Sequence, residues 1–316
     1  MIPRSGIDEV SLTSEDTGKF RFTLNILQAF DADGGHLETK GLSPTGQVVK
    51  APQHRHLVSL DFFRAEVGLE YRLADNWKTL LSVPYEIKNQ DASSEEIDPS
   101  TAVEQKSILA NQHIHHRDEI YRGFSDFSLR FSHKKSSVLN DDDHLVIALG
   151  TSIPMGKTEE DPFKLGNAGL EHLHIQFGTG TFDPLAELHY NTPLFGDFSL
   201  NASVRGRFPF YENSKTYRGS VEVTATTEVK YHLLDWLAFH TTYLRFYQSY
   251  AHWDGKRDIN SGLVLNAFLF GAMVNIGYSI PIRFSVMLPF HRRTLSDEGD
   301  AFELGQTVSL TVSRSF

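Results

Sequence analysis

A strict alternation of apolar and polar residues is the feature of this chain that most restricts its fold. In residues 198–208 the even positions are apolar or glycine, and the odd positions are Ser, Asn or Arg. Residues 63–73 repeat the pattern with apolar residues at the odd positions. A period of two puts successive side chains on opposite faces of a β-strand. We find no sustained apolar stripe at helical spacing and no capping box before one, so the chain is predicted to be all-β.

The length and spacing of the predicted strands indicate a membrane barrel. A strand of about 10 residues crosses a bilayer when it is tilted, and nearly all of the predicted strands reach this length. Tight turns alternate with longer polar connections, as in up-and-down outer-membrane β-barrels with short periplasmic turns and longer outer loops. We therefore expect a periplasmic segment, 1–17, followed by a single antiparallel barrel domain, 18–316. The twelve predicted strands are 18–30, 56–73, 77–88, 122–135, 144–156, 171–192, 198–212, 217–232, 236–251, 258–280, 283–293 and 302–316.

The two ends of the chain indicate the outer membrane of a Gram-negative bacterium. The last predicted strand alternates apolar residues and ends on Phe316, which resembles the signal read by the outer-membrane assembly machinery. Residues 1–6 contain no apolar signal-peptide core, so we expect a mature form. The uncharged run 259–282 is long enough for a membrane helix, but its Gly, Asn and Pro residues favour a strand. The expected partners are lipid, lipopolysaccharide, the assembly machinery and a small solute.

If the apolar faces of the strands contact lipid, the polar faces line a lumen. Opposite charges on these faces either pair and seal the interior or line a water-filled pore that selects solutes. Small Ser and Thr residues among the charges favour a narrow pore for passive passage, and the basic side chains predict a preference for small carboxylates or phenolates. The candidate lumen residues are Arg64, Glu66, Glu70, Arg72, Arg130, Arg205, Arg207, Glu222, Glu228, Lys230 and Arg283.

Histidine is frequent in this chain, with 15 copies, and several fall in predicted outer loops. Two imidazoles two residues apart on a strand point the same way, so two such pairs can hold a divalent metal ion. Solvated loop histidines fit the same spacing. The alternative to a channel is thus a sealed barrel whose His-rich and acidic loops bind a metal ion or a partner protein. The candidate metal ligands are His54, His56, His113, His115 and His116.

Composition and missing motifs exclude several other functions. The chain has no cysteine, which rules out disulfides and thiolate metal sites. Its formal net charge of −10 argues against nucleic-acid binding. Gly-x-Ser-x-Gly, His-Glu-x-x-His, Walker and dinucleotide motifs are absent. We therefore expect neither an enzyme nor a cofactor, although a barrel enzyme acting on lipid needs no tight local motif.

Three short segments resemble one outer-membrane family. Residues 123–131 (GFSDFSLRF) are similar to that family's Gly-x-x-Asp-x-x-Leu strand start, and residues 149–157 (LGTSIPMGK) to its strand ending in Leu-Pro-Thr-Gly. Residues 176–185 (QFGTGTFDPL) resemble its Gly-Ser/Thr-Gly-x-x-Asp segment. The family is associated with phenol meta-pathway degradation, and its members are often called transporters. The resemblance implies an outer-membrane β-barrel with a transport role and transfers no catalytic residues.

Overall fold

One antiparallel sheet closes on itself because its first strand pairs with both the second and the last. The computed structural model describes residues 18–276, 280–296 and 305–316, so the predicted segment 1–17 lies outside the described residues. Strand β1 pairs with β2 and β12, and each remaining strand pairs with its neighbours in sequence. The barrel strands are β1 (Phe20–Leu42), β2 (Val48–Ala74), β3 (Trp77–Glu96), β4 (Glu119–Phe124 with Phe127–Ser136), β5 (His144–Ile153), β6 (Pro184–Pro193), β7 (Phe198–Arg207), β8 (Glu222–Leu234), β9 (Leu237–Gln248), β10 (Leu263–Ile276), β11 (Ile280–Thr294) and β12 (Thr307–Ser315).

The two faces of the sheet are inverted relative to a water-soluble protein. Apolar side chains such as Leu69 and Phe284 are exposed on one face. The alternate positions, on the other face, include buried polar groups such as Glu66 and Arg283. Because the sheet is closed, its exposed face is the outer face. An apolar outer surface with a polar interior is the arrangement of barrels that lie in lipid. The predicted twelve-stranded, all-β transmembrane barrel is therefore confirmed.

Short and long connections alternate as the sequence predicts. We call the end of the barrel with short connections the short end and the opposite end the long end. The short end carries the tight turns 75–76 and 235–236, together with the somewhat longer turns 137–143 and 194–197. At the long end, the predicted loop 31–55 is mostly strand, because β1 and β2 continue as a hairpin and meet only at 43–47. Three two-residue strands form a second small sheet in the long-end connections: Tyr217–Arg218, His252–Trp253 and Lys256–Arg257.

The all-β barrel also carries two helices, which no apolar stripe at helical spacing indicates in the sequence. Helix α1 (Ala102–His115) lies between β3 and β4, and α2 (Pro162–Asn167) lies between β5 and β6. The Thr101 hydroxyl accepts a bond from the Glu104 backbone N–H at 3.3 Å, and the Glu104 carboxylate accepts one from the Thr101 N–H at 2.8 Å. These bonds form a capping box. No helix in the described residues is long and apolar enough to span a membrane.

The sixth predicted strand is correct only in its second half. Residues 171–183 are irregular, and β6 begins at Pro184. Gly180 has a φ of +70°, which is a left-handed conformation that breaks an extended strand. A side chain at Gly178 would place its Cβ 2.2 Å from a carboxylate oxygen of Asp126, so the close approach requires glycine. Consequently His172 and His174 lie in an irregular segment and not on the predicted strand 171–192.

Candidate functional site

A network of charges inside the barrel is centred on Glu228 of β8. Its carboxylate accepts hydrogen bonds from Arg283 of β11, from the Thr242 hydroxyl at 2.8 Å and from the Asn201 amide at 3.1 Å. The Lys230 ammonium lies 3.5 Å away. Arg283 is almost completely buried, at 2 % exposure. A single carboxylate thus cross-links four strands, which stabilises the interior provided that every charge keeps its partner.

A second network is centred on Glu187 of β6. Arg130 of β4 approaches its carboxylate to 2.6 Å, and Arg205 of β7 to 3.0 Å. His189, two residues further along β6, lies 3.0 Å from the same carboxylate. Arg130 also donates to the Ser82 hydroxyl at 2.8 Å. Because the residues come from β3, β4, β6 and β7, this network joins four strands on one side of the barrel and spans β5.

A third network joins β2 and β3. Arg64 donates two hydrogen bonds to the Glu86 carboxylate, and the Lys88 ammonium lies 3.1 Å from the second oxygen of that carboxylate. Lys88 also donates to the Gln176 carbonyl at 3.0 Å and lies over the Phe177 ring at 4.4 Å from its centroid. The irregular segment 171–183 is therefore held against the β3 residue Lys88.

The predicted lumen residues share the inner face of the sheet but differ in burial. Six of them are buried: Arg64, Glu66, Arg130, Glu228, Lys230 and Arg283. Five are partly buried: Glu70, Arg72, Arg205, Arg207 and Glu222.

Three further charged residues, which the sequence analysis missed, complete the networks: Glu86, Lys88 and Glu187. Residues 77–87 carry mainly apolar side chains at the odd positions, and Glu86 and Lys88 occupy even positions on the opposite face. This alternation was the signal that could have found them. The buried ionisable side chains on the described strands, histidines apart, comprise five basic and four acidic residues. This near balance reduces the physical basis for the expected anion preference.

Polar and apolar surfaces meet inside the barrel. A cavity of about 40 Å³ is lined by Ser203, Thr226, Glu228 and Thr242, among others, and it has room for a few water molecules. The inner face of β9–β11 is apolar towards the long end, which the sequence analysis did not predict. That apolar cluster comprises Leu244, Phe246, Leu265, Ala267, Leu269 and Met287.

The three sequence segments that resemble one family meet in space around Asp126. Its carboxylate accepts hydrogen bonds from the Gly156 N–H at 3.1 Å and from the Thr179 N–H at 2.8 Å. Arg207 lies 3.5 Å from Asp126 and donates to Asp183 at 2.9 Å. We call these residues the Asp126 knot. It interrupts β4 and fixes the segment before β6, so these motif residues have a structural role.

Seven histidines gather at the long end, and we call them the histidine cluster. His36 of β1 lies directly opposite His56 of β2 in the strand pairing. The end of α1 adds His115 and its C-cap His116, because the helix packs against β1 and β2. The full cluster, defined by ring-centroid distances of 4.3–6.2 Å, comprises His36, His54, His56, His115, His116, His172 and His174.

The structure therefore brings four of the five predicted metal ligands together and leaves out the fifth. His54 and His56 are almost completely buried, at 1 % and 0 % exposure, whereas His113 is exposed. One ring nitrogen from each of four histidines lies within 4.8 Å of the others, in the set His36, His56, His115 and His116. His36 was missed because residues 31–55 were expected to form a loop, which gives no register between β1 and β2.

Burial keeps several of these rings neutral. Burial and then the neighbouring His56 lower the pKa of His115 from 6.5 to about 2. Burial also lowers the pKa values of His116 and His172. A neutral imidazole keeps a nitrogen lone pair, which is the form that binds metal ions.

The acidic loops that the sequence predicts at 95–96 and 159–161 have ordinary local roles. Asp161 caps α2 by accepting hydrogen bonds from the backbone N–H groups of residues 163 and 164. Glu95 pairs with Arg55 on the surface, and Glu96 accepts from Ser100. The acidic run 297–300 lies outside the described residues.

The closed twelve-stranded barrel and its charged interior define a protein with the fold of outer-membrane channels. Its structure is similar to the COG4313 outer membrane channel from Pseudomonas putida F1, with 11% identity, a TM-score of 0.59, and coverage of 98% of this chain and 100% of that chain. It also matches the Pseudomonas putida toluene transporter TodX (10% identity, TM-score 0.44, 95% and 90% covered) and a Pseudomonas aeruginosa FadL homologue (11%, 0.45, 94% and 90%). No protein-family profile matches the chain, and no curated protein does. These solved structures are channels and transporters rather than enzymes.

Proposed function

We propose that this chain is a channel of the Gram-negative outer membrane that passes a small solute passively through its interior. The observation that carries the proposal is the inverted barrel, with an exposed apolar outer face and charged side chains inside. Strands that expose Leu69 and Phe284 outward need a hydrocarbon environment. A shared fold with a solved outer membrane channel supports the same conclusion.

The solute that best fits this interior is small and has one polar and one apolar side. The Glu228 and Glu187 networks offer paired charges, and the apolar cluster around Leu265 offers a hydrocarbon surface. Phenol and simple phenolates have this character. The family that the segments around Asp126 resemble is associated with phenol breakdown, which agrees with this choice. Because basic and acidic groups nearly balance, we expect weak charge selectivity.

A sealed barrel is the second candidate, and the pairing of the buried arginines favours it. Arg64, Arg130 and Arg283 each have a carboxylate partner. The cavity of about 40 Å³ next to Glu228 has room for only a few water molecules. In this alternative, the networks stabilise the barrel and the histidine cluster carries the function.

Planar-bilayer recording separates the two candidates. Purified protein should give discrete conductance steps if the interior conducts. Ser203→Trp, which adds a bulky side chain beside the cavity, should reduce the step size. Val204→Trp is the matched control, because Val204 is the next residue and points outward with 47 % exposure. Absence of conductance in wild-type protein that is folded and inserted would reject the channel and leave the sealed barrel.

A further inference from the structure

The histidine cluster contains a set of ligands that the channel function does not require. We propose a binding site for one divalent transition-metal ion of the Cu²⁺, Ni²⁺ or Zn²⁺ class, formed by the imidazoles of His36, His56, His115 and His116. The proposal does not depend on whether the barrel conducts.

The spacing of the ring nitrogens suits coordination. The Nδ1 atom of His56 lies 3.1 Å from Nε2 of His115. Two imidazoles bound to one tetrahedral ion at 2.0–2.1 Å have their nitrogens about 3.3–3.4 Å apart. The four ligand atoms all lie within 4.8 Å of one another. Trans ligands of an octahedral ion are separated by about 4.1 Å, so a small contraction of the set encloses an ion.

The number of N–H hydrogens on the imidazole rings gives a second, independent reason for a cation at this site. The Nδ1 atoms of His54 and His115 lie 2.9 and 2.7 Å from the carbonyls of Pro52 and Asn111. A carbonyl only accepts, so both Nδ1 atoms are protonated, and the Nε2 atoms of these neutral rings carry lone pairs. Both lone pairs point at His56, one at each of its ring nitrogens.

A neutral His56 has a single N–H and satisfies only one of these two contacts. The other contact then sets two lone pairs against each other in a buried site. A second proton on His56 would place a charge on a ring with 0 % exposure, among ligands that include no carboxylate. A metal ion shared by His56 and His115 resolves the conflict, because it accepts both lone pairs.

His116 adds an atom with no other role. Its Nε2 is buried and has no hydrogen-bond partner in the described part of the chain. Leaving a buried ring nitrogen unpaired is unfavourable, and a metal–nitrogen bond would satisfy it. The bond from His115 Nδ1 to a backbone carbonyl is also the outer contact that fixes the tautomer of metal-binding histidines.

Donor chemistry selects the class of metal. The site offers only imidazole nitrogens and no thiolate, because the chain has no cysteine. Imidazole ligands suit Zn²⁺, Cu²⁺ and Ni²⁺, whereas Mg²⁺ and Ca²⁺ require oxygen donors. A bound ion would join β1, β2 and the end of α1, and would therefore fasten the α1 loop to the β1–β2 hairpin.

Metal titration of the full chain in detergent micelles tests the proposal. Calorimetry with CuCl₂ should show one tight equivalent, and electron paramagnetic resonance of the bound Cu²⁺ should show several nitrogen ligands. His115→Ala and His116→Ala should weaken binding by more than about 100-fold, since loss of a second-shell partner alone costs 10–100-fold. The control is His113→Ala, an exposed histidine on the same helix, which should bind like wild type. MgCl₂ should give no binding heat.

Hydrogen exchange provides a readout independent of affinity. Cu²⁺ should slow amide exchange in α1 of wild type and of His113→Ala, and should not slow it in His116→Ala. Circular dichroism establishes that each variant is folded. If wild type binds no equivalent of Cu²⁺, Ni²⁺ or Zn²⁺, the proposal is overturned whatever the variants do. Equal weakening by His113→Ala and His116→Ala would also overturn it, because binding would then be spread over surface histidines.

Discussion

Replacing Asp126 with alanine should destabilise the barrel strongly. Asp126 is 2 % exposed, and its carboxylate accepts bonds from the Gly156 N–H, the Thr179 N–H and the Thr179 hydroxyl. Hydrogen bonds to a charged group contribute about 1.5–3 kcal/mol each. They are not additive, and losing one partner of a buried charged pair costs about 3–5 kcal/mol. We therefore expect Asp126→Ala to reduce the free energy of unfolding by about 4 kcal/mol.

Urea unfolding in detergent micelles, followed by tryptophan fluorescence, measures this change. Asp126→Asn keeps one acceptor oxygen and turns the other position into a donor, so we expect a loss of about 2 kcal/mol. Asp142→Ala is the control, because Asp142 lies exposed in a short-end turn and should change stability by no more than about 0.5 kcal/mol. If Asp126→Ala unfolds at the same urea concentration as Asp142→Ala, the Asp126 knot does not hold the barrel together.

Three further predictions concern the knot, the helix cap and the C-terminus. Gly178→Ala should destabilise by about 1–3 kcal/mol or more in the same urea assay, because its Cβ would overlap a buried carboxylate; an unchanged midpoint would contradict the packing. Hydrogen bonds from the Thr101 backbone and side chain lower the pKa of Glu104 below 4.5. The cap is therefore complete above pH 4.5 and is lost as the pH falls through the pKa of Glu104 in the folded protein. The protection of the α1 amides, measured against the intrinsic exchange rate at each pH, should fall as the pH is lowered from 5 to 3, and Thr101→Ala should reduce this dependence; an equal fall in both proteins would refute it. Phe316→Ala should lower the amount of protein in the outer membrane of cells and leave refolding in micelles unchanged. Phe195→Ala, which removes another exposed aromatic side chain, should change neither. If the two variants reach the outer membrane in equal amounts, Phe316 is not an assembly signal.

The barrel was predictable because one physical requirement repeats in every strand. Hydrocarbon outside and charge inside impose a period of two, which residues 63–73 and 198–208 show directly. Alternation fails to locate strand ends where the chain leaves the membrane. There the extended β1–β2 hairpin, with its many polar residues, looked like a loop.

The missed helix shows a different limit. The buried face of α1 carries Ile108, Asn111, Gln112 and His115, which are mostly polar. A helix that packs on polar neighbours has no apolar stripe, so periodicity does not reveal it. Its capping box, Thr101 with Glu104, was visible in the sequence and was the signal that should have been followed.

The false half-strand at 171–183 arose from local alternation without a pairing partner. Leu173, Ile175 and Phe177 alternate as in a strand, but the segment is held by Lys88 and by the Asp126 knot instead. Such tertiary contacts override a local pattern.

The candidate site was predictable only in part, because one sequence does not give the register between strands. The inner parity identified Arg64 and Arg283, but not which carboxylates face them. Similarly, His54 and His56 were recognised as a pair, whereas His36 joined them only through its position opposite His56.

Cysteine accessibility along β8 tests the central claim most directly, since the natural chain has no cysteine. Single cysteines at positions 224 to 229, in protein reconstituted into liposomes, would be exposed to a small charged methanethiosulfonate. An inverted barrel with a water-accessible interior predicts reaction at the even positions, which face the polar interior, and none at the odd positions, which face lipid. Faster reaction at the odd positions would contradict a polar interior surrounded by hydrocarbon, and no reaction at any position would contradict a water-accessible one.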